Sequence, residues 1–106
     1  MDNFKAVYKI LTALESCMDL EEANTDMFSA ERIGVLQERW NKYIEMMMDV
    51  GYIKGVKITE YISGEKDVNC ERIQITLKGL EYLQENSIMR KIYNGAKGIK
   101  EVVPGL

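Results

Sequence analysis

The chain has 106 residues, 46% of them hydrophobic, with 17 acidic and 14 basic side chains for a net charge of −3. This is the size of one domain, with enough apolar material for a core that needs neither metal nor disulfides. The balance supplies no general attraction to nucleic acid, and no apolar run approaches membrane-spanning length.

Phe4, Val7, Tyr8, Leu11, Leu14 and Met18 recur every three or four residues. This spacing predicts a first helix of about four turns with one apolar stripe. The acidic stretch Asp19 to Thr25 reads as a connector with room for a short turn of helix, although Asn24-Thr25-Asp26 favours a loop. Met27-Phe28 is too short for an element of its own. Ser29 is a good N-cap for a brief helix, Ala30 to Ile33, ended by Gly34. Helical periodicity resumes at Leu36 through Trp40, Tyr43, Ile44 and Met47 and closes at Gly51, although Val35-Leu36 offers no side-chain cap. A short helix, a glycine turn and a longer helix form a helix-turn-helix pattern.

After Gly51 the periodicity changes from helical to alternating. Val56, Ile58 and Ile62 alternate with polar residues, as do Ile73 and Ile75. The polar run Ser63 to Asn69 reads as the loop of a hairpin with strands at Val56–Ile62 and Ile73–Thr76. Thr76 caps the next helix, whose buried side is expected to be Leu77, Leu80 and Leu83. Asn86-Ser87 interrupts it, and Met89, Ile92, Tyr93, Ala96 and Ile99 form a last stripe. Gly95 and Gly98 weaken that last helix by about 1 kcal/mol each relative to alanine, so it needs a packing partner. The expected fold is α+β, mainly helical: a winged helix-turn-helix with a C-terminal helical extension. It is one domain over 1–106, with the first helix at 1–18, the helix-turn-helix at 29–51, the wing hairpin at 52–76 and C-terminal helices at 77–102.

The order of several segments carries a family resemblance. They are Phe4-Lys5-Ala6-Val7-Tyr8-Lys9-Ile10-Leu11, Glu38-Arg39-Trp40-Asn41-Lys42-Tyr43-Ile44, and Gly51-Tyr52-Ile53-Lys54-Gly55-Val56. Ile75-Thr76-Leu77-Lys78-Gly79-Leu80-Glu81-Tyr82-Leu83 and the ending from Lys97-Gly98-Ile99-Lys100 to Pro104-Gly105 complete the set. The chain resembles the YjcQ-like family of small bacterial and prophage proteins. Residues 19–28 and 63–71 carry least of the likeness. The resemblance implies a winged-helix domain of mainly helical content. It implies no established activity and supplies no catalytic or binding residues.

The residues themselves do not point to catalysis. There is no histidine, the commonest general base at neutral pH. Serines and the two cysteines, Cys17 and Cys70, therefore lack the usual activating partner. The glycines are dispersed, so no phosphate-cradling loop is expected, and no loop converges the several oxygens a hard cation needs. No enzyme activity, cofactor or metal is expected. Cys17 and Cys70 match no zinc or redox spacing and read as free, buried thiols. The charged opening Met1-Asp2-Asn3-Phe4-Lys5 does not read as a secretory signal, so a cytoplasmic location is expected. Of Met46-Met47-Met48, Met47 should face the core and its neighbours the flanks. Trp40 reads as a core anchor rather than a stacking platform, and Tyr52, Tyr61, Tyr82 and Tyr93 suit half-buried sites.

Two functions compete. In a DNA-binding winged helix the longer helix would enter the major groove. Arg39 and Lys42 would then meet phosphate or guanine, Gln37 and Asn41 would read adenine, and Lys54, Lys57, Lys66 and Arg72 would support from the wing. Against this, Glu38, Glu45 and Asp49 share the helix, and Glu60, Glu65, Asp67 and Glu71 offset the wing bases. Attraction to phosphate needs a surplus of positive charge. The surplus instead lies late in the chain: residues 1–38 carry −5, residues 39–77 balance, and residues 78–106 carry +2. The rival is a module without DNA binding that serves protein interaction or phage structure and assembly, meeting a protein partner, or a second copy through the terminal helices.

Overall fold

The computed structural model describes residues 3–86. It is an α+β arrangement. In chain order come α1 (Asn3–Ser16), a 3-10 turn (Thr25–Phe28), α2 (Ala30–Ile33) and α3 (Gln37–Asp49). Then follow β1 (Ile53–Lys54), β2 (Lys57–Glu60), β3 (Lys66–Asn69), β4 (Gln74–Ile75) and a helix α4 that begins at residue 77 and is described to residue 86. The strands form two small antiparallel ladders, β1 with β4 and β2 with β3.

The face α1 buries is turned from the expected stripe. Its buried residues are Ala6, Ile10, Leu11, Ala13 and Leu14, whereas Phe4 and Met18 are exposed and the helix stops at Ser16. Two alanines, Ala6 and Ala13, belong to this face. Small side chains let α1 approach the 3-10 turn, α2 and β4 closely, and a stripe traced through large residues alone passes them by. The supposed loop at Asn24-Thr25-Asp26 is also corrected. Asn24 accepts a hydrogen bond from the Asp26 amide and caps the 3-10 turn, which carries Phe28 into the core with no exposed surface.

The segment from Ser29 to Gly51 follows the sequence closely. Ser29 Oγ accepts from the Arg32 amide, and Gly34 takes a left-handed φ of 91° that ends α2. α3 starts at Leu36 without a side-chain cap. It buries Trp40, Tyr43, Ile44 and Met47, while Met48 is half-buried and Met46 exposed. Trp40 packs nearly parallel to Phe28 and donates its indole N–H to the Phe28 carbonyl at 2.7 Å. It is a core anchor with its polar atom satisfied. Cys17 and Cys70 are buried free thiols.

The strand pairing departs from the expected hairpin. The partner of Lys57–Glu60 is Lys66–Asn69, in the run read as loop, with Ile58 opposite Val68 and Glu60 opposite Lys66. The loop shrinks to residues 61–65, closed by hydrogen bonds from the Gly64 amide to the Tyr61 carbonyl and from the Tyr61 amide to the Glu65 carbonyl. The strand of Ile75 pairs instead with Ile53–Lys54, placing Ile53 opposite Ile75 in the core. β3 escaped notice because it reads Lys-Asp-Val-Asn: only Val68 packs inward, and charged residues carry little strand signal. Between the two ladders Gly55 adopts φ 84°, and a Cβ there would meet the Arg72 carbonyl at 1.9 Å. No side chain fits this crossing.

α4 is locked to the exit of α3. The Thr76 amide donates to the Tyr52 carbonyl at 3.0 Å, and the Thr76 hydroxyl donates to the Gly51 carbonyl while accepting from the Gly79 amide. A Cβ at Gly79 would come within 2.4 Å of the Tyr52 carbonyl. The Thr76-Leu77-Lys78-Gly79 motif therefore combines an N-cap with the one residue small enough to let α4 rest on the chain leaving α3. Leu83 is buried and Leu80 half-buried, but Leu77 faces solvent, contrary to expectation. As the first residue of α4 it precedes the point where the helix meets the core. The break at Asn86-Ser87 and the stripe Met89–Ile99 lie outside the described residues, apart from Asn86 itself.

Candidate interaction surface

α3 determines which side chains can meet a partner. Successive residues step about 100° around a helix. With Trp40, Tyr43, Ile44 and Met47 inward, the outermost ridge is Glu38, Lys42, Glu45 and Asp49. Three acids and one base give that ridge a charge of −2. Leu36, Arg39, Met46 and Val50 lie on one flank, and Gln37, Asn41 and Met48 on the other.

The eight residues singled out for DNA do not form one patch. Gln37 donates from its side-chain amide to the Asn41 oxygen at 3.0 Å, so these two base-reading candidates bond each other. Arg39 and Lys42 border a cleft between α1, α3 and α4 that Phe4, Val7, Met46 and Tyr82 also line. Lys66 bonds Glu45 at 2.9 Å, and this contact raises the lysine's pKa, chiefly through the hydrogen bond and then the charge of Glu45. Lys54 and Lys57 are exposed, opposite Gln74 and Asn69 in the ladders. Arg72 is exposed in a shallow depression with Glu21, Glu22 and Glu71, where acids outnumber it.

The chain belongs to the YjcQ family. The family model described as YjcQ protein matches residues 8–102, nearly the whole length. No curated protein and no solved structure matches the chain.

The hairpin supplies residues the reading of bases overlooked. At its tip Tyr61 is exposed and Ile62 fully so. Tyr61 thus departs from the half-buried site expected of it, whereas Tyr52 and Tyr82 are half-buried with ring centroids 4.9 Å apart. Tyr93 lies outside the described residues. The Glu45–Lys66 contact ties β3, immediately beyond the tip loop, to the outer ridge of α3. An acidic ridge and an apolar tip are therefore held on joined elements. The apolar tip could have been suspected from Tyr61-Ile62 standing before Ser63-Gly64, but the alternation pattern assigned Ile62 to a strand. Among the described residues no three His, Cys, Asp or Glu side chains converge as a metal site would need. No helix among them is long and apolar enough to cross a membrane.

Proposed function

We propose that this chain is a non-enzymatic winged-helix domain that binds a protein partner and not duplex DNA. In this reading α2 and α3 are the helix-turn-helix, β2 and β3 are the wing, and the protein is of the small bacterial and prophage type that the family resemblance implies. The observation that carries it is the acidic outer ridge of α3. A helix entering the major groove would press Glu38, Glu45 and Asp49 toward phosphates, with Lys42 as the ridge's one cation. Like charges at such a contact repel, and each phosphate contact depends on a neutralising cation. The same ridge, with the exposed Ile62 at the wing tip, suits a partner that offers basic residues around an apolar hollow.

Two experiments test this. Titration of a labelled random duplex near 50 mM salt, where phosphate contacts are strong, should give no measurable binding. Micromolar or tighter binding, lost on Arg39→Glu with Lys42→Glu, would make DNA binding the primary function. A photo-reactive amino acid at position 62 should yield a protein adduct in cells, diminished by Glu38→Lys with Asp49→Lys. A nucleic-acid adduct there would contradict the proposal.

A further inference from the structure

The cleft between α1, α3 and α4 has a volume of about 660 Å³. Small-molecule sites span roughly 300–1,000 Å³ and pair a mostly apolar lining with a few polar groups. The bottom of this cleft is formed by Tyr43 and Met47, both 2% exposed. The Tyr43 hydroxyl donates to the Asn3 side-chain oxygen at 2.5 Å, so its polar atom is already satisfied. An apolar group is therefore what the bottom can accept without loss.

Polarity is divided along the cleft. Its charged lining residues are Glu38, Arg39 and Lys42, gathered within about one turn of α3, with a net charge of +1. Arg39 and Lys42 are three positions apart, which sets their side chains beside each other on a helix. Among the described residues the ion pair is Lys66 with Glu45, and neither Arg39 nor Lys42 holds a carboxylate. Beyond Tyr43 the residues lining the cleft from α3 and its cap are Met46, Met47 and Val50, and α1 adds Phe4 and Val7. Unbranched methionines adapt to whatever packs on them. From Lys42 to Val50 this apolar half runs roughly 12 Å along the helix. One end offers unpaired positive charge and the rest offers an elongated apolar bed.

We infer that this cleft binds a free aliphatic carboxylate, its carboxylate held by Arg39 and Lys42 and its chain laid over Met47 toward Val50. The guanidinium of Arg39 suits a carboxylate because its planar fork can bond both oxygens. An acidic helix of another protein fits less well. Its acids would recur along its length, whereas the cations of the cleft stand together at one end. The inference does not depend on what the acidic ridge and Ile62 bind.

The test titrates the full chain with decanoate, decanol and decylamine, followed by the nuclear magnetic resonance of its methyl groups. Decanoate should saturate one site at micromolar concentration and shift the methyls of Met46, Met47 and Val50. Decanol and decylamine should bind at least tenfold more weakly. Arg39→Gln with Lys42→Gln should weaken decanoate tenfold or more and leave decanol unchanged. Both side chains are exposed, so the far-ultraviolet circular dichroism should persist. Decanol or decylamine binding as tightly as decanoate would overturn the inference, as would shifts centred outside the cleft or no saturable binding. A helical peptide with leucine on one face and glutamate on the other should not displace decanoate. Displacement by micromolar peptide would assign the cleft to a protein partner and equally overturn the inference.

Discussion

Trp40 joins two elements at one position: it sits on α3, packs on Phe28 of the 3-10 turn and bonds that residue's carbonyl. Trp40→Ala should therefore cost about 3–5 kcal/mol of stability by chemical denaturation, the range for emptying a large enclosed site. Trp40→Phe should cost less, about 1–3 kcal/mol, because much of the packing stays while the Phe28 carbonyl loses its donor. A loss below about 1 kcal/mol for the alanine variant would contradict the core assignment. Cys70 allows a second prediction. Burial pushes its thiol up to about 11, whereas an unfolded thiol ionises near pH ~8.5. Between those values the unfolded chain has released its proton and the folded chain retains it. The contribution of Cys70 to stability is thus fully present below the lower value and falls as pH rises toward the upper. Denaturation at pH 8 and at pH 10.5 should show a smaller drop for Cys70→Ala than for the parent chain. Equal drops would mean the thiol does not feel its burial.

At the scale of elements, the two ladders differ in what supports them. β1–β4 buries Ile53 and Ile75 and is bracketed by the Thr76 bonds to Gly51, Tyr52 and Gly79. β2–β3 stands on the half-buried Ile58 and Val68. Backbone amides shared between β1 and β4 should exchange with solvent more slowly than those of β2–β3, and the reverse order would show the β2–β3 hairpin to be the firmer part. Gly55→Ala should cost roughly 2 kcal/mol or more, since the crossing demands both a left-handed backbone and an approach no Cβ permits. Lys66→Ala should leave the denaturation midpoint nearly unchanged, as expected of an exposed ion pair screened by solvent. The sequence announces some elements and conceals others for the same physical reason. Ser29, Gly34 and Thr76 each have local backbone chemistry that works before any packing, so α2, the turn and the start of α4 were legible. β3 and the partner of Ile75 depend on pairing across the chain, which no local pattern records. The buried face of α1 was misplaced because alanines pack well without looking hydrophobic in a periodic trace.

At the scale of the molecule, charge placement is the ground on which the proposed function rests. The sequence singled out candidate residues for a DNA-binding face, and the charges around them already argued against it. It could not show that Gln37 and Asn41 bond each other, that Lys66 is engaged by Glu45, or that Arg72 stands among acids. Those facts depend on which flank of α3 meets the β2–β3 hairpin and on where the acidic connector passes. With Lys66 offsetting Glu45 the outer ridge keeps a net charge of −1, and membership in the YjcQ family names no ligand. If charge and not shape excludes DNA, reversing charge on the ridge should admit it. Glu38→Lys with Asp49→Lys changes the ridge residues of α3 themselves from −2 to +2 while leaving the Glu45–Lys66 pair and the core untouched. The most direct measurement is fluorescence anisotropy of a random duplex near 50 mM salt with the parent chain and this variant side by side. The account predicts no measurable binding by the parent and salt-sensitive binding by the variant. Equal, micromolar binding by both would contradict it.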